Sequence, residues 1–118
     1  MSSERAQWQD RVWHMLDAIA RIQAYTDGLS IEALAKDDKT VAAICWQFAV
    51  IGEAARQIPP AVEQRYPQVP WSQMRGLRNA IVHGYDVVNL DILWDTVTID
   101  LPPLALALKQ VLDEGSGA

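Results

Sequence analysis

The sequence is poor in the residues that cross-links and metal centres require. It holds one cysteine and two histidines in 118 residues. Cys45 has no partner for an intrachain disulfide, and a structural zinc site within one chain is not expected from so few ligands. Its setting, Ala42-Ala43-Ile44-Cys45-Trp46, suits a buried small hydrophobe. No window approaches the ~18–20 uninterrupted apolar residues of a membrane span. The opening Met1-Ser2-Ser3-Glu4-Arg5 lacks the apolar run of a signal peptide. The expected location is the cytoplasm, away from membranes. Positive charge is also scarce, with 10 Lys and Arg against 15 Asp and Glu and a net charge of -5. That balance argues against an affinity resting on a broad phosphate-binding face. It leaves room for a nuclease with local positive charge, and it suits a chain whose main partner is another protein. There is no internal repeat or low-complexity tract, and no segment alternates cleanly enough to suggest a strand.

What is present is helical periodicity in a chain that is half hydrophobic. Trp8, Val12, Met15, Leu16, Ile19, Ile22 and Tyr25 predict a first helix over 5–26, stopped by Gly28. Ser30 can cap a short helix over 31–35. Asp37 or Asp38 can cap a longer one with Val41, Ile44, Cys45, Phe48, Ile51, Ala55 and Ile58 as its stripe, ended by Pro59-Pro60. A turn-rich connector follows, with one helical turn near 61–65. A further helix begins at Trp71 or Ser72, turns Met74, Leu77, Ile81 and Val82 inward, and stops at Gly84. Asn89 caps the last helix, which kinks or breaks at Pro102-Pro103 and resumes over 104–112. The fold class is all-α: an antiparallel bundle of four longer helices plus short ones. Residues 1–112 form one domain, and 113–118 a loose C-terminal tail.

One segment, Arg78-Asn79-Ala80-Ile81-Val82-His83-Gly84-Tyr85, could carry chemistry. On a regular helix Arg78 and His83 lie about 140° apart and share no face. A helix end near His83, or a second copy of the segment across a two-fold axis, would bring them to one site. Asn79 and His83, four apart, would share a face, so Asn79 could hold the ring and choose its tautomer. The fitting reaction is RNA cleavage without metal, in which the 2'-hydroxyl attacks the adjacent phosphate. A histidine can take that proton or protonate the leaving oxygen, typically worth ~10²–10⁴ in rate. A planar, always-charged guanidinium can hold two phosphate oxygens as negative charge builds. A helix C-terminus would favour the charged imidazole. By spacing alone, a surface arginine in an ion pair and a histidine packed at a helix end fit better.

The longer context is more specific. Ile51-Gly52-Glu53-Ala54-Ala55, Tyr66-Pro67, Val69-Pro70-Trp71, the segment 78–85, Ile92-Leu93-Trp94 and Asp100-Leu101-Pro102 stand in order, with spacing that resembles the HepT-like family of the HEPN superfamily. The likeness covers roughly the second half of the chain; the first half matches only as amphipathic helix. The resemblance implies an all-α, HEPN-like homodimer with an intact motif in Arg78, His83 and Tyr85. It implies a metal-independent RNA endonuclease that needs no cofactor and acts as the toxin of a toxin–antitoxin pair on RNA such as tRNA, with its site in a cleft between subunits. The implied partner is an MntA-like nucleotidyltransferase antitoxin, which transfers AMP onto the motif tyrosine, here Tyr85. Arg78, His83 and Asn79 are then the expected catalytic group, and Tyr85 the AMP acceptor. The alternative is a non-catalytic helical module that binds the nucleotidyltransferase.

Other residues admit two readings each. Arg75 could add phosphate attraction or be a solvated arginine. Gly52, with Ala54 and Ala55, permits close approach of another helix, inside the chain or across a dimer. Glu53 could pair with a motif arginine or stay in solvent. His14 is expected to be structural or exposed. Trp8, Trp13, Trp46, Trp71 and Trp94 could stack on bases, but their helical positions favour core or interface packing. Trp71 is expected to staple the entry to the motif helix, and Trp94 to pack beneath the motif.

Overall fold

In the computed structural model, residues 2–84 and 87–117 are described. Helix α1 (Ser2–Thr26) and helix α3 (Asp38–Arg56), joined through the short α2 (Ile31–Ala35), make the most extensive helix–helix contact of the fold. Along α1, Trp8, Val12, Met15, Leu16, Ile19 and Ile22 are buried, the stripe that an amphipathic helix turns to a core. Gly28 ends the helix with φ +76°, a left-handed conformation that glycine adopts without a Cβ penalty. Ser30 Oγ then accepts from Ala33 N–H at 3.1 Å. Asp37 Oδ1 accepts from Thr40 N–H at 3.1 Å to start α3. A further bond from the Thr40 hydroxyl at 2.6 Å helps hold the Asp37 carboxyl below its ordinary range.

Helix α4 (Pro60–Arg65) follows the two prolines. A turn anchored by buried Tyr66 and Val69 leads to α5 (Trp71–Arg75), where Trp71 Nε1 donates to the Tyr66 carbonyl at 3.0 Å. That bond satisfies the indole N–H while its ring enters the core, so the entry to α5 is pinned at a single residue.

Three departures from the sequence reading concern the second half of the chain. The expected motif helix is split at Gly76 into α5 and α6 (Leu77–Ile81). Glycine is a poor helix former, and the Arg75 carbonyl accepts instead from Arg56 Nη2 at 3.3 Å. The helix also ends at Ile81 rather than Gly84. Beyond it, β1 (Val82–His83) pairs antiparallel with β2 (Val87–Val88), Val82 facing Val88 and His83 facing Val87. Three β-branched valines favour the pleated backbone, but the strands are too short for any alternation to be read from sequence. Val82 is buried, whereas His83 and Val87 are exposed.

The third departure lies around the double proline. Asn89 Oδ1 accepts from Ile92 N–H at 3.0 Å to cap α7 (Leu90–Asp95). Rather than breaking, the chain widens into a π-helical turn over Thr96–Asp100 and continues as α8 (Leu101–Gly117). The Leu101 N–H bonds the Thr96 carbonyl, five residues back. Two prolines in succession supply no N–H and crowd the carbonyls a turn before them, and one wide turn accommodates both. Helix α8 runs through 113–117, so this stretch is helical rather than a loose tail. A Cβ on Gly115 would lie 3.4 Å from the Trp8 ring, so the last turn lies against the start of α1.

Gly52 settles into a contact within the chain. It is buried on α3, and a Cβ there would meet the Arg75 and Met74 carbonyl oxygens at 3.2 and 3.3 Å. The close approach of α5 to α3, which sets the height of α6, therefore depends on the missing side chain. Gly52→Ala should be near neutral in urea melting, because about 1 kcal/mol of helix propensity offsets the crowding. Gly52→Val should lose about 1–3 kcal/mol through overpacking. A valine variant as stable as the parent would contradict this packing.

Candidate active site at the end of the motif helix

The end of α6 and the hairpin together place the motif residues. Arg78 is half-buried on α6, on the side that packs against α3. Its Nη1 donates to Asn79 Oδ1 at 3.2 Å and to the Gly84 carbonyl at 3.4 Å. The second bond carries the guanidinium out along the hairpin to the residue next to His83. Among the described residues, Nη2 and Nε of Arg78 meet no partner, and no carboxylate lies within ion-pair distance. The open edge of the fork can therefore take two oxygens of an incoming oxyanion.

His83 is exposed on the outer face of the hairpin. The helical geometry that separates Arg78 from His83 by about 140° does not apply, because the helix stops two residues before the histidine. The helix end is present, and through it Arg78 reaches the carbonyl of Gly84, the residue after His83. That same ending removes the expected helical face shared by Asn79 and His83. Asn79 Oδ1 accepts from Arg78 rather than from the imidazole, so Asn79 steadies the guanidinium. Gly84, with φ +65°, serves the hairpin turn and not a helix cap. Tyr85 lies outside the described residues.

Two features absent from the sequence reading hold this arrangement. Asn89 N–H donates to the Ile81 carbonyl at 2.8 Å, closing the hairpin onto the end of α6 while the Asn89 side chain caps α7. Its capping role was legible as Asn before an apolar run; its backbone role was not. Cys45 on α3 is half-buried rather than buried. Burial pushes its thiol up, and the positive charge of Arg78 draws it part of the way back.

The neighbouring charges are committed elsewhere. Arg75 Nη1 bonds Glu63 Oε2 at 2.6 Å, with about a third of the arginine and a quarter of the carboxylate side chain exposed. The pair ties α5 to α4, so Arg75 is not a free phosphate contact. Glu53 pairs with Arg56 at 2.6 Å, not with a motif arginine. His14 is exposed on α1. The tryptophans divide: Trp8 and Trp71 are in the core, Trp94 is half-buried against it, and Trp13 and Trp46 are exposed. Arg75→Ala and Glu63→Ala are expected to lower stability by similar amounts, up to about 1 kcal/mol each, in urea melts. Unchanged stability in both would contradict a structural role for the pair.

Comparison with known proteins gives a consistent setting. The chain matches the family described as Ribonuclease HepT-like over residues 15–111. A Methanocaldococcus jannaschii protein carrying a provisional RNase name is 30% identical over 106 residues, covering 90% of this chain and 88% of its own. A Caldanaerobacter subterraneus protein with a provisional RNase name is 29% identical over 86% of this chain and 90% of its own. A Thermococcus cleftensis protein with a provisional ribonuclease HepT name is 32% identical over 81% and 87%. No solved structure matches the chain.

Proposed function

The chain belongs to the ribonuclease HepT-like family, and from that footing we propose that it is a metal-independent RNA endonuclease whose catalytic pair is Arg78 and His83. The observation that supports this reading is the Arg78 bond to the Gly84 carbonyl, which carries a guanidinium with no ion-pair partner among the described residues to the backbone next to an exposed histidine. The guanidinium holds the non-bridging oxygens of the scissile phosphate. The 2'-hydroxyl attacks phosphorus, the bond to the 5'-oxygen breaks, and the products are a 2',3'-cyclic phosphate and a 5'-hydroxyl. One proton leaves the 2'-oxygen and one reaches the 5'-oxygen, and His83 serves one of these transfers. The motif holds a single histidine, and a homodimer supplies a second His83 for the other transfer. Asn79 acts as a positioning residue through Arg78.

In this proposal the protein is the toxin of a toxin–antitoxin pair, working in the cytoplasm on RNA such as tRNA. Among the described residues no helix is long and apolar enough to cross a membrane. An MntA-like nucleotidyltransferase silences it by transferring AMP to Tyr85. Tyr85 is two residues from His83 in sequence, so a bulky anion there would exclude the RNA phosphate by volume and by charge.

The test is to incubate the pure protein with tRNA or total RNA in EDTA, beside Arg78→Ala and His83→Ala. Each substitution should slow cleavage by ~10²–10⁴, and the fragments should end in a cyclic phosphate. Equal cleavage by parent and variants would remove the assignment. Capture of a nucleotidyltransferase with no cleavage, Tyr85 being unmodified, would favour the non-catalytic module to which the net charge of -5 is also suited.

A further inference from the structure

A groove of about 530 Å³ runs between α1 and α3, in the size range of small-molecule sites. Ala49, Val50 and Ala54 of α3 contribute apolar lining. Trp46 stands on the groove 69% exposed, with no ring partner among the described residues. Arg11 and His14 of α1 form the opposite rim. Arg11 has no carboxylate within ion-pair distance among the described residues, and the groove's one acidic side chain, Glu53, is already held by Arg56. An open indole thus stands across from an arginine with no ion-pair partner among the described residues. It complements an occupant with a flat π-face and negative charge.

Helix α6, which carries Arg78, packs against α3, the helix that forms one wall of the groove. Cys45, whose thiol feels the Arg78 charge, directly precedes Trp46. One residue turns a helix by about 100°. The motif helix and the groove thus share α3. A strand whose phosphate sits on Arg78 need only cross that helix to reach Trp46. Single-stranded RNA can splay its bases in this way, and proteins commonly take them on aromatic side chains.

We infer that the α1–α3 groove is a single-stranded RNA subsite, in which Trp46 stacks on a base flanking the cut and Arg11 and His14 hold the next phosphate. This inference rests on the endonuclease reading above. It adds to it a binding residue outside the motif, placed to confine the enzyme to unpaired RNA.

The experiment uses the full chain with His83→Ala, so that RNA stays whole, and a fluorescein-labelled unpaired oligoribonucleotide followed by anisotropy over a salt series. Trp46→Ala should weaken binding at least about fivefold, and Trp46→Phe should recover most of it. Arg11→Gln should flatten the slope of log affinity against log salt by about 0.7. Light scattering on each variant should give the same mass as the parent. Since Trp46 is exposed, these changes leave the core intact, which circular dichroism checks. Unchanged affinity in Trp46→Ala, with cleavage still dependent on His83 in the otherwise native chain, would overturn the subsite alone. A fall in mass with Trp46→Ala would show the groove to be a protein interface and would also overturn it. A folded His83→Ala parent that binds no RNA, matched by a native chain that cuts none, would remove both readings.

Discussion

The Ile81 carbonyl accepts from Asn89 N–H, eight residues on, where a continuing helix would have it accept from residue 85. That substitution of partner ends α6, starts the hairpin, and positions Asn89 to cap α7. The motif then straddles a helix terminus, with Arg78 on the helix and His83 on the strand. Within a longer helix the two side chains would diverge. With the helix cut short, the arginine can run alongside the turn and bond the backbone next to the histidine.

Packing further away supports this short helix. Gly52 lets the carbonyl end of α5 lie against α3. Arg56 then takes the Arg75 carbonyl, and Arg75 itself ties back to Glu63 on α4. Trp71 enters the core with its N–H satisfied by Tyr66. These contacts fix where α5 ends and α6 begins, and so where Arg78 stands on a helix packed against α3. On the far side, the π-turn before Pro102 keeps α7 and α8 in one continuous rod despite two missing N–H donors. Rigid placement by this kind of scaffold is what makes an oxyanion site effective, because its donors need not reorganise when charge develops.

Much of this was legible in the sequence, for identifiable reasons. The α1 and α3 stripes, the caps at Ser30, Asp37 and Asn89, and the stop at Pro59 follow from local chemistry that tertiary contacts reinforced. The motif was visible by residue type and context. Its geometry was not, because Val82-His83 and Val87-Val88 are too short to show a period, and because the bond that ends α6 joins residues eight apart. The split at Gly76 and the pairing of Arg75 likewise depend on α3 and α4, which no local window contains. The last turn of α8 lies against the start of α1, a contact that no local window contains. The exposure of Trp46, by contrast, follows from its place two residues from both Ile44 and Phe48, off the buried stripe of α3.

The central claim is that Arg78 and His83 act on one phosphate as a unit. A double-mutant cycle on single-turnover RNA cleavage in EDTA measures this directly. If the two side chains share the reacting phosphate, Arg78→Ala with His83→Ala together should cut little more slowly than the slower single variant, as non-additivity within a catalytic group requires. A double variant whose loss equals the product of the two single losses would show the residues acting independently, and would contradict the account.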